Sequence, residues 1–247
     1  MIYLFIAAFV TSLISAILGM AGGLILMGIY SLLLPVAAAF VMHGVTQFAA
    51  NGYRFWLLRQ HVLMKPLMWY LLGAFLSVGI FLAISFVPDR KMIFLGMGTL
   101  AVISPVLGKF WVADYSKGGW AIAAAFMTNS AQLICGVGGP LLDLFFVRTR
   151  LTKKQIIANK AITQTFAHAI KVGYFVLISA KSDGTGWPTE ITLPLVVGSI
   201  ACSFLGTATG AEQISEQRFK TLVRVTVFLI GIIYLLKGMT TSAGAGS

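Results

Sequence analysis

Gln164, His168 and Lys171 recur at helical spacing inside an otherwise apolar stretch, TQTFAHAIK at residues 163–171. An amide, an imidazole and an ammonium on one helix face offer N–H donors and positive charge to an anion. A second stretch, TQFAANGYR at residues 46–54, has the same layout. When the sequence is shifted by 117 positions, Thr46, Gln47, Ala50, Asn51 and Arg54 fall on Thr163, Gln164, Ala167, His168 and Lys171. His43 and Lys160 stand one turn earlier on each stretch. Positions i, i+4 and i+7 share a helix face, so both stretches predict a long helix with a polar stripe.

Plainer roles exist for the same groups. Amide side chains tie helices together by interhelical hydrogen bonds in membranes. Arg54, five residues before Arg59, fits a cation snorkelling to an interface, and His168 fits a satisfied core histidine. Lys171 resists such a reading, with small or apolar neighbours on both sides and ten residues separating it from Lys181.

The same shift lays LGMAGG (18–23) over CGVGGP (135–140), with Gly19 on Gly136 and Gly22 on Gly139. Glycine lets membrane helices pack closely. Concentrated glycine, joined in the second copy by Pro140, also predicts a helix break. Freed N–H groups at a helix start, with the positive end of the dipole, favour an anion. The candidate binding set is therefore Gly22, Gly23, Thr46, Gln47, Asn51 and Arg54 from the first copy, and Gly138, Gly139, Thr163, Gln164, His168 and Lys171 from the second.

The elements that position these groups follow from composition. Of 247 residues, 58% are apolar and 10% charged, against roughly 25% charged in soluble domains, and mean hydropathy is +0.92. Apolar segments cover 2–18, 23–58 with Pro35 inside, 66–87, 92–112, 119–147, 155–180, 190–211 and 219–236. About 20 such residues cross a bilayer, and continuous runs lack the alternation of outer-membrane strands. The chain reads as an all-α, polytopic integral membrane protein. The first segment lacks the basic n-region of a secretory signal. Cys135 and Cys202 both lie in apolar segments and read as buried thiols.

Further along, the offset grows to about 127, so that PDRK (88–91) faces SEQR (215–218), with KSDGTGWPTE near 181–190 as the insertion. Two repeats follow, residues 1–115 and 116–238, with 239–247 a flexible tail of low complexity. Internal repeats in such a chain point to a secondary transporter with its site where the repeats meet. Cytoplasmic loops collect Lys and Arg. If each glycine break turns the chain around, giving five membrane segments per half, one side holds Arg59, Lys65, Lys109, Lys117, Arg148, Arg150, Lys153, Lys154, Arg218 and Lys220, ten cations. The other side then holds four, Arg90, Lys91, Lys181 and Lys237. Four segments per half would split the same loops six to eight. The bias favours inverted repeats with broken or re-entrant helices at the glycine motifs, both termini outside the cell and the basic loops in the cytoplasm. The net charge of +11 is explained by orientation, with no call for nucleic acid as a partner.

Of seven acidic residues, Asp89, Asp114, Asp183, Glu190, Glu212 and Glu216 fall in or near loops, leaving Asp143 inside a membrane segment. It reads either as a structural partner of Lys171 or Arg148, or as a proton relay. A cation cargo would want carboxylates in the stripes, which have none. The three histidines form no HExxH and the cysteines no metal-spaced pair, so neither an enzyme nor a metal or other cofactor is expected. A channel would need a pore ring, usually from several subunits.

The Gly-rich break after the first helix of each half, here GMAGG and GVGGP, the duplicated architecture and the Thr-Gln block followed by a basic residue resemble the sulfite exporter TauE/SafE family over nearly the whole chain. GMAGG departs from the fuller Gly-x-Gly-Gly form at Ala21. The resemblance implies a bacterial inner-membrane carrier of a small sulfur-containing anion, such as sulfite, thiosulfate, sulfoacetate or another organosulfonate; the sequence leaves its oligomeric state, monomer or homodimer, open. An anion leaving a cell negative inside gains about 2.3 kcal/mol per charge per 100 mV, which favours export without a coupled ion. The alternatives are an anion channel and a proton-coupled importer, for which His43, His168 and Asp143 are the candidate proton carriers.

Overall fold

The computed structural model describes residues 2–18, 21–184, 186–211 and 217–242. Gly19, Glu212 and Glu216 lie outside that set, as do residues 243–247 of the tail and the side chains of Asp183, Arg218 and Lys220. Among the described residues the regular structure is helical throughout: α1 Ile2–Leu18, α2 Ala21–Leu33, α3 Val36–Leu58, α4 Met64–Ile84, α5 Arg90–Phe110, α6 Gly118–Cys135, α7 Gly139–Leu144, α8 Lys153–Asp183, α9 Leu193–Ala211 and α10 Gln217–Thr240. A single 3-10 turn, Arg59–His61, follows α3. Among the described residues, three helices are long and apolar enough to cross a bilayer by themselves: Met64–Ile84, Arg90–Phe110 and Lys153–Lys181. Shorter apolar helices, Ile2–Ala16, Ala21–Leu33, Leu193–Thr209 and Val225–Thr240, accompany them.

Local chemistry sets the ends. The Asp89 carboxylate accepts from Met92 N at 2.7 Å and starts α5. Thr152 and Gln155 form a capping box on α8, the reciprocal arrangement that satisfies two orphan donors. Pro35 separates α2 from α3, dividing the long apolar run of residues 23–58 into two helices. Gly136 stops α6 in the left-handed region at φ +79°, where Cβ-bearing residues are strained.

Glycine gives the packing its register. On α3, Gly44 approaches Val172 and the His168 carbonyl, while Gly52 approaches Thr165, so α3 and α8 cross antiparallel. α5 and α10 are antiparallel as well, with Gly98 against Gly231 and Leu235 and Gly238 against Leu95. Two other pairs run parallel. Phe5 meets Gly198 and Phe9 meets Gly206 between α1 and α9, while Trp69 meets Gly118 and Gly73 meets Ile122 between α4 and α6.

Hydrogen bonds mark the two ends of the bundle. At one end, Asn159 accepts from Leu63 N at 3.1 Å, and Tyr115 N donates to the Phe145 carbonyl at 2.9 Å. At the other, the Tyr174 hydroxyl donates to the Phe86 carbonyl at 2.6 Å, and Arg90 donates to the Leu34 carbonyl at 3.1 Å. The second end is filled by the apolar core of Leu24, Met27, Tyr30, Phe40, Tyr174 and Phe175.

Both cysteines are free, but only Cys135 is buried; Cys202 is half-buried. α9 turns its Cys202 face partly outward, which an apolar segment alone does not reveal.

Candidate functional site

The glycine breaks and the two polar stripes converge. Gly22 at the start of α2 sits so close to α1 that an added Cβ would lie 1.9 Å from the Thr11 carbonyl oxygen. At Gly138 the corresponding distance is 2.4 Å, to the Thr128 carbonyl oxygen on α6. Thr11 and Thr128 are related by the 117-residue shift, so Gly138 takes the structural place that sequence alignment gives to Gly139. In both places the chain doubles back against the helix it has just left. Gly139 then opens α7, which has only six residues. So short a helix has little dipole to offer, and side chains must supply most of the attraction for an anion.

A small cavity of about 30 Å³ lies at the crossing of α3 and α8. Gly23, His43, Gln47, Asn51 and Arg54 wall it from the first half, and Gly138, Gly139, Pro140, Gln164 and His168 from the second, with Ser15, Leu24 and Val137 completing the lining. Within or beside the wall, Gln47 Nε2, Arg54 Nη2, Gln164 Nε2, Gln132 Oε1 and His168 Nδ1 are buried without a hydrogen-bond partner. Leaving such a group unpaired costs about 1–3 kcal/mol; Gln47 Nε2, Arg54 Nη2 and Gln164 Nε2 are donors, and Gln132 Oε1 is an acceptor. Arg54 does not snorkel: Nη1 donates to Asn51 Oδ1 at 3.3 Å while Nη2 remains buried. His168 is not a satisfied core histidine either, since Nδ1 has no partner and the ring lies edge-on to His43 at 5.4 Å. Among the described residues, the cavity wall contains no carboxylate.

Four expected binding residues stand behind the wall. Gly22 is consumed by the contact with α1. Thr46 and Thr163 return their hydroxyls to the Met42 and Asn159 carbonyls of their own helices, at 2.7 and 2.8 Å. Lys171 is fully buried at 0% exposure. Its Nζ lies 2.6 Å from His43 Nδ1 and donates to the Gly136 carbonyl at 2.9 Å. An ammonium has only donors, so His43 Nδ1 accepts, and the ring proton on Nε2 donates to the Gly23 carbonyl at 2.9 Å. Lys171 is thus a strut joining one glycine break directly and the other through His43. The Phe40 ring, with its centroid 5.7 Å from Nζ, adds a cation–π contact.

Asp143 stands apart from the central cavity. Its ion-pair partner is Lys160, not Lys171, which is held by His43 and Gly136, nor Arg148, which donates to the Lys109 carbonyl at 3.2 Å. Asp143 faces a separate, larger cavity of about 750 Å³, lined also by Lys109, Ser104, Pro105 and Ile156. Leu24 and Pro140 line both cavities.

Ser15 and Gln132 escaped the sequence reading. They are related by the 117-residue shift, and Gln132 Nε2 donates to Gln164 Oε1 at 3.4 Å, which turns the Gln164 amide nitrogen away from that bond. The signal was a polar pair at matched positions on the helices that precede the breaks. Among the described residues no group of three or more metal-ligating side chains occurs.

The family model for sulfite exporter TauE/SafE matches residues 4–234. The chain belongs to that family. Neither a curated protein nor a solved structure matches it. Membership, together with the apolar helices, makes this TauE/SafE chain a membrane protein of a transporter family, with a small anion as the class of cargo.

Proposed function

We propose that the protein is a secondary carrier that exports a small sulfur-containing oxyanion, sulfite or a short organosulfonate, across the cytoplasmic membrane. The observation that carries this reading is the set of unpartnered nitrogens of Gln47, Arg54 and Gln164 around one cavity without a carboxylate. Amide donors and one guanidinium suit an acceptor-only ligand, and charge-assisted hydrogen bonds are about twice as strong as neutral ones. On the measure by which one water needs roughly 10–15 Å³, a cavity of about 30 Å³ suits a compact anion. A longer organosulfonate would extend between Leu24 and Pro140 toward the larger cavity.

The halves act as inverted repeats of five segments, with the site between them near the bilayer midplane. Antiparallel crossing of the equivalent helices α3 and α8, and of α5 and α10, supports this reading, as does the matching of the parallel pairs α1 with α9 and α6 with α4. An axis in the membrane plane reverses each helix onto its equivalent. Both termini then lie on the periplasmic side and the basic loops in the cytoplasm. The larger cavity reaches the basic end past Lys109, while Phe40 packs on Phe175 at 4.2 Å toward the other end. This conformation therefore faces inward, with Leu24 and Pro140 as the partition that cargo passes.

His43 and His168 in the wall favour a second reading, in which a proton accompanies the anion. Reconstituted vesicles separate the two. Uniport predicts saturable sulfite efflux that follows an imposed potential and is unchanged by a pH gradient; efflux driven by the pH gradient at zero potential establishes coupling. Absence of saturable flux for any sulfur oxyanion overturns the carrier reading.

A further inference from the structure

A third cavity, of about 540 Å³, lies at the end of the bundle that carries the basic loops, well away from the polar stripes. The segment between α5 and α6 meets the segment between α7 and α8 here. Tyr115 stacks on Phe146 at 4.5 Å between ring centroids, and Trp111 sets its ring against Phe145 at 5.8 Å. The recess these contacts hold open is lined by Lys117, Arg148 and Arg150, with Asp114, Ser116 and Trp120. Asp114 Oδ1 is already engaged by Ser116 N at 3.0 Å and Ser116 Oγ at 2.7 Å. Arg148 is anchored on the Lys109 carbonyl. Lys117 and Arg150 make no side-chain bond among the described residues, and the three cations outnumber the one carboxylate. Val112 and Trp120 of the lining are exposed, Val112 at 73%, and Phe110, two residues before Val112 in the chain, is 77% exposed.

A fixed basic recess next to apolar side chains, where α5 leaves and α6 enters the apolar layer, has the two-part chemistry of an anionic phospholipid: a phosphodiester headgroup for the cations and acyl chains for the rim. We infer that this recess is a binding site for the headgroup of an anionic phospholipid of the cytoplasmic leaflet. It shares no lining residue with the transport cavity and stands whether or not the cargo is a sulfur oxyanion. A free phosphate would satisfy the cations but leave the exposed Val112 and Trp120 of the lining bare, so the lipid is the better-fitting source of the same chemistry.

The test is thermal unfolding of the purified protein in a neutral detergent with phosphatidylglycerol, phosphatidylcholine or inorganic phosphate added. The comparison is with the Lys117→Gln, Arg150→Gln double variant, which leaves every hydrogen bond described for the recess in place. Phosphatidylglycerol is expected to raise the wild-type Tm by about 5 °C over phosphatidylcholine, with inorganic phosphate without effect and the increment lost in the variant. An equal increment in the variant, equal stabilisation by phosphatidylcholine, or inorganic phosphate matching the lipid would each overturn the assignment.

Discussion

Arg54 and Gln164 reach one cavity from helices on opposite halves of the chain, and each brings a buried nitrogen with no protein acceptor. Lys171, the most conspicuous cation in the sequence, instead spends its donors on His43 and the Gly136 carbonyl. Substituting Lys171 by Met leaves those two acceptors unpaired, at about 1–3 kcal/mol each, while relieving the desolvation of a buried ammonium. The net expectation for Lys171→Met is a loss of about 2 kcal/mol, read as a lower Tm in detergent, with any anion binding weakened less than in Arg54→Ala. Full loss of binding at unchanged Tm would make Lys171 a ligand contact after all. Lys237, exposed near the end of α10, serves as the control: Lys237→Ala is expected to change neither quantity.

At the scale of elements, the doubled-back chain at Gly22 and Gly138 positions the cavity wall. A methyl group at Gly22 would meet the Thr11 carbonyl at 1.9 Å, so α2 must separate from α1. Gly22→Ala is expected to cost more than about 2 kcal/mol of stability and to abolish flux in vesicles. Gly79, on α4, has nothing within 4 Å of its would-be Cβ, and Gly79→Ala should be neutral or stabilising by up to about 1 kcal/mol in a denaturation assay. Equal effects at the two glycines would show that close packing at the break is not what fixes the site.

Much of this arrangement was legible in the sequence. The stripes could be read because polar groups in an apolar helix are costly, and because two copies at one offset place them on the same face. The breaks could be read because glycine and proline accumulate at matched positions. The strut could not: it depends on a backbone carbonyl presented by the left-handed turn at Gly136, and carbonyls leave no trace in side-chain patterns. The Asp143–Lys160 pair was missed for a related reason. It is set by where the short α7, packed against α5 and α6, holds Asp143, which residue spacing across the intervening turn does not determine.

At the scale of the whole molecule, the proposed inverted repeats of five segments predict a definite topology. Single cysteines at Lys65 and Lys117, in a background lacking Cys135 and Cys202, are expected to react with a membrane-impermeant thiol reagent only after the cytoplasmic face is opened. Cysteines at Lys181 and Lys237 should react in intact cells. Labelling of Lys65 and Lys181 positions from the same side would rule out inverted repeats of five segments. Such a topology places two antiparallel stripes face to face at mid-depth, where the cost of burying unpaired donors is highest and an anion can offset it.

The most direct test of that central site is a calorimetric titration of the purified protein with sulfite, sulfoacetate, sulfate and chloride, in wild type, Arg54→Ala and Gln164→Ala. A central anion site predicts saturable binding of a sulfur oxyanion, weakened roughly tenfold to a hundredfold by each substitution, the equivalent of about 1.5–3 kcal/mol for a hydrogen bond to a charged group. Unaltered binding in both variants, or no binding of any of these anions to wild type, would contradict it.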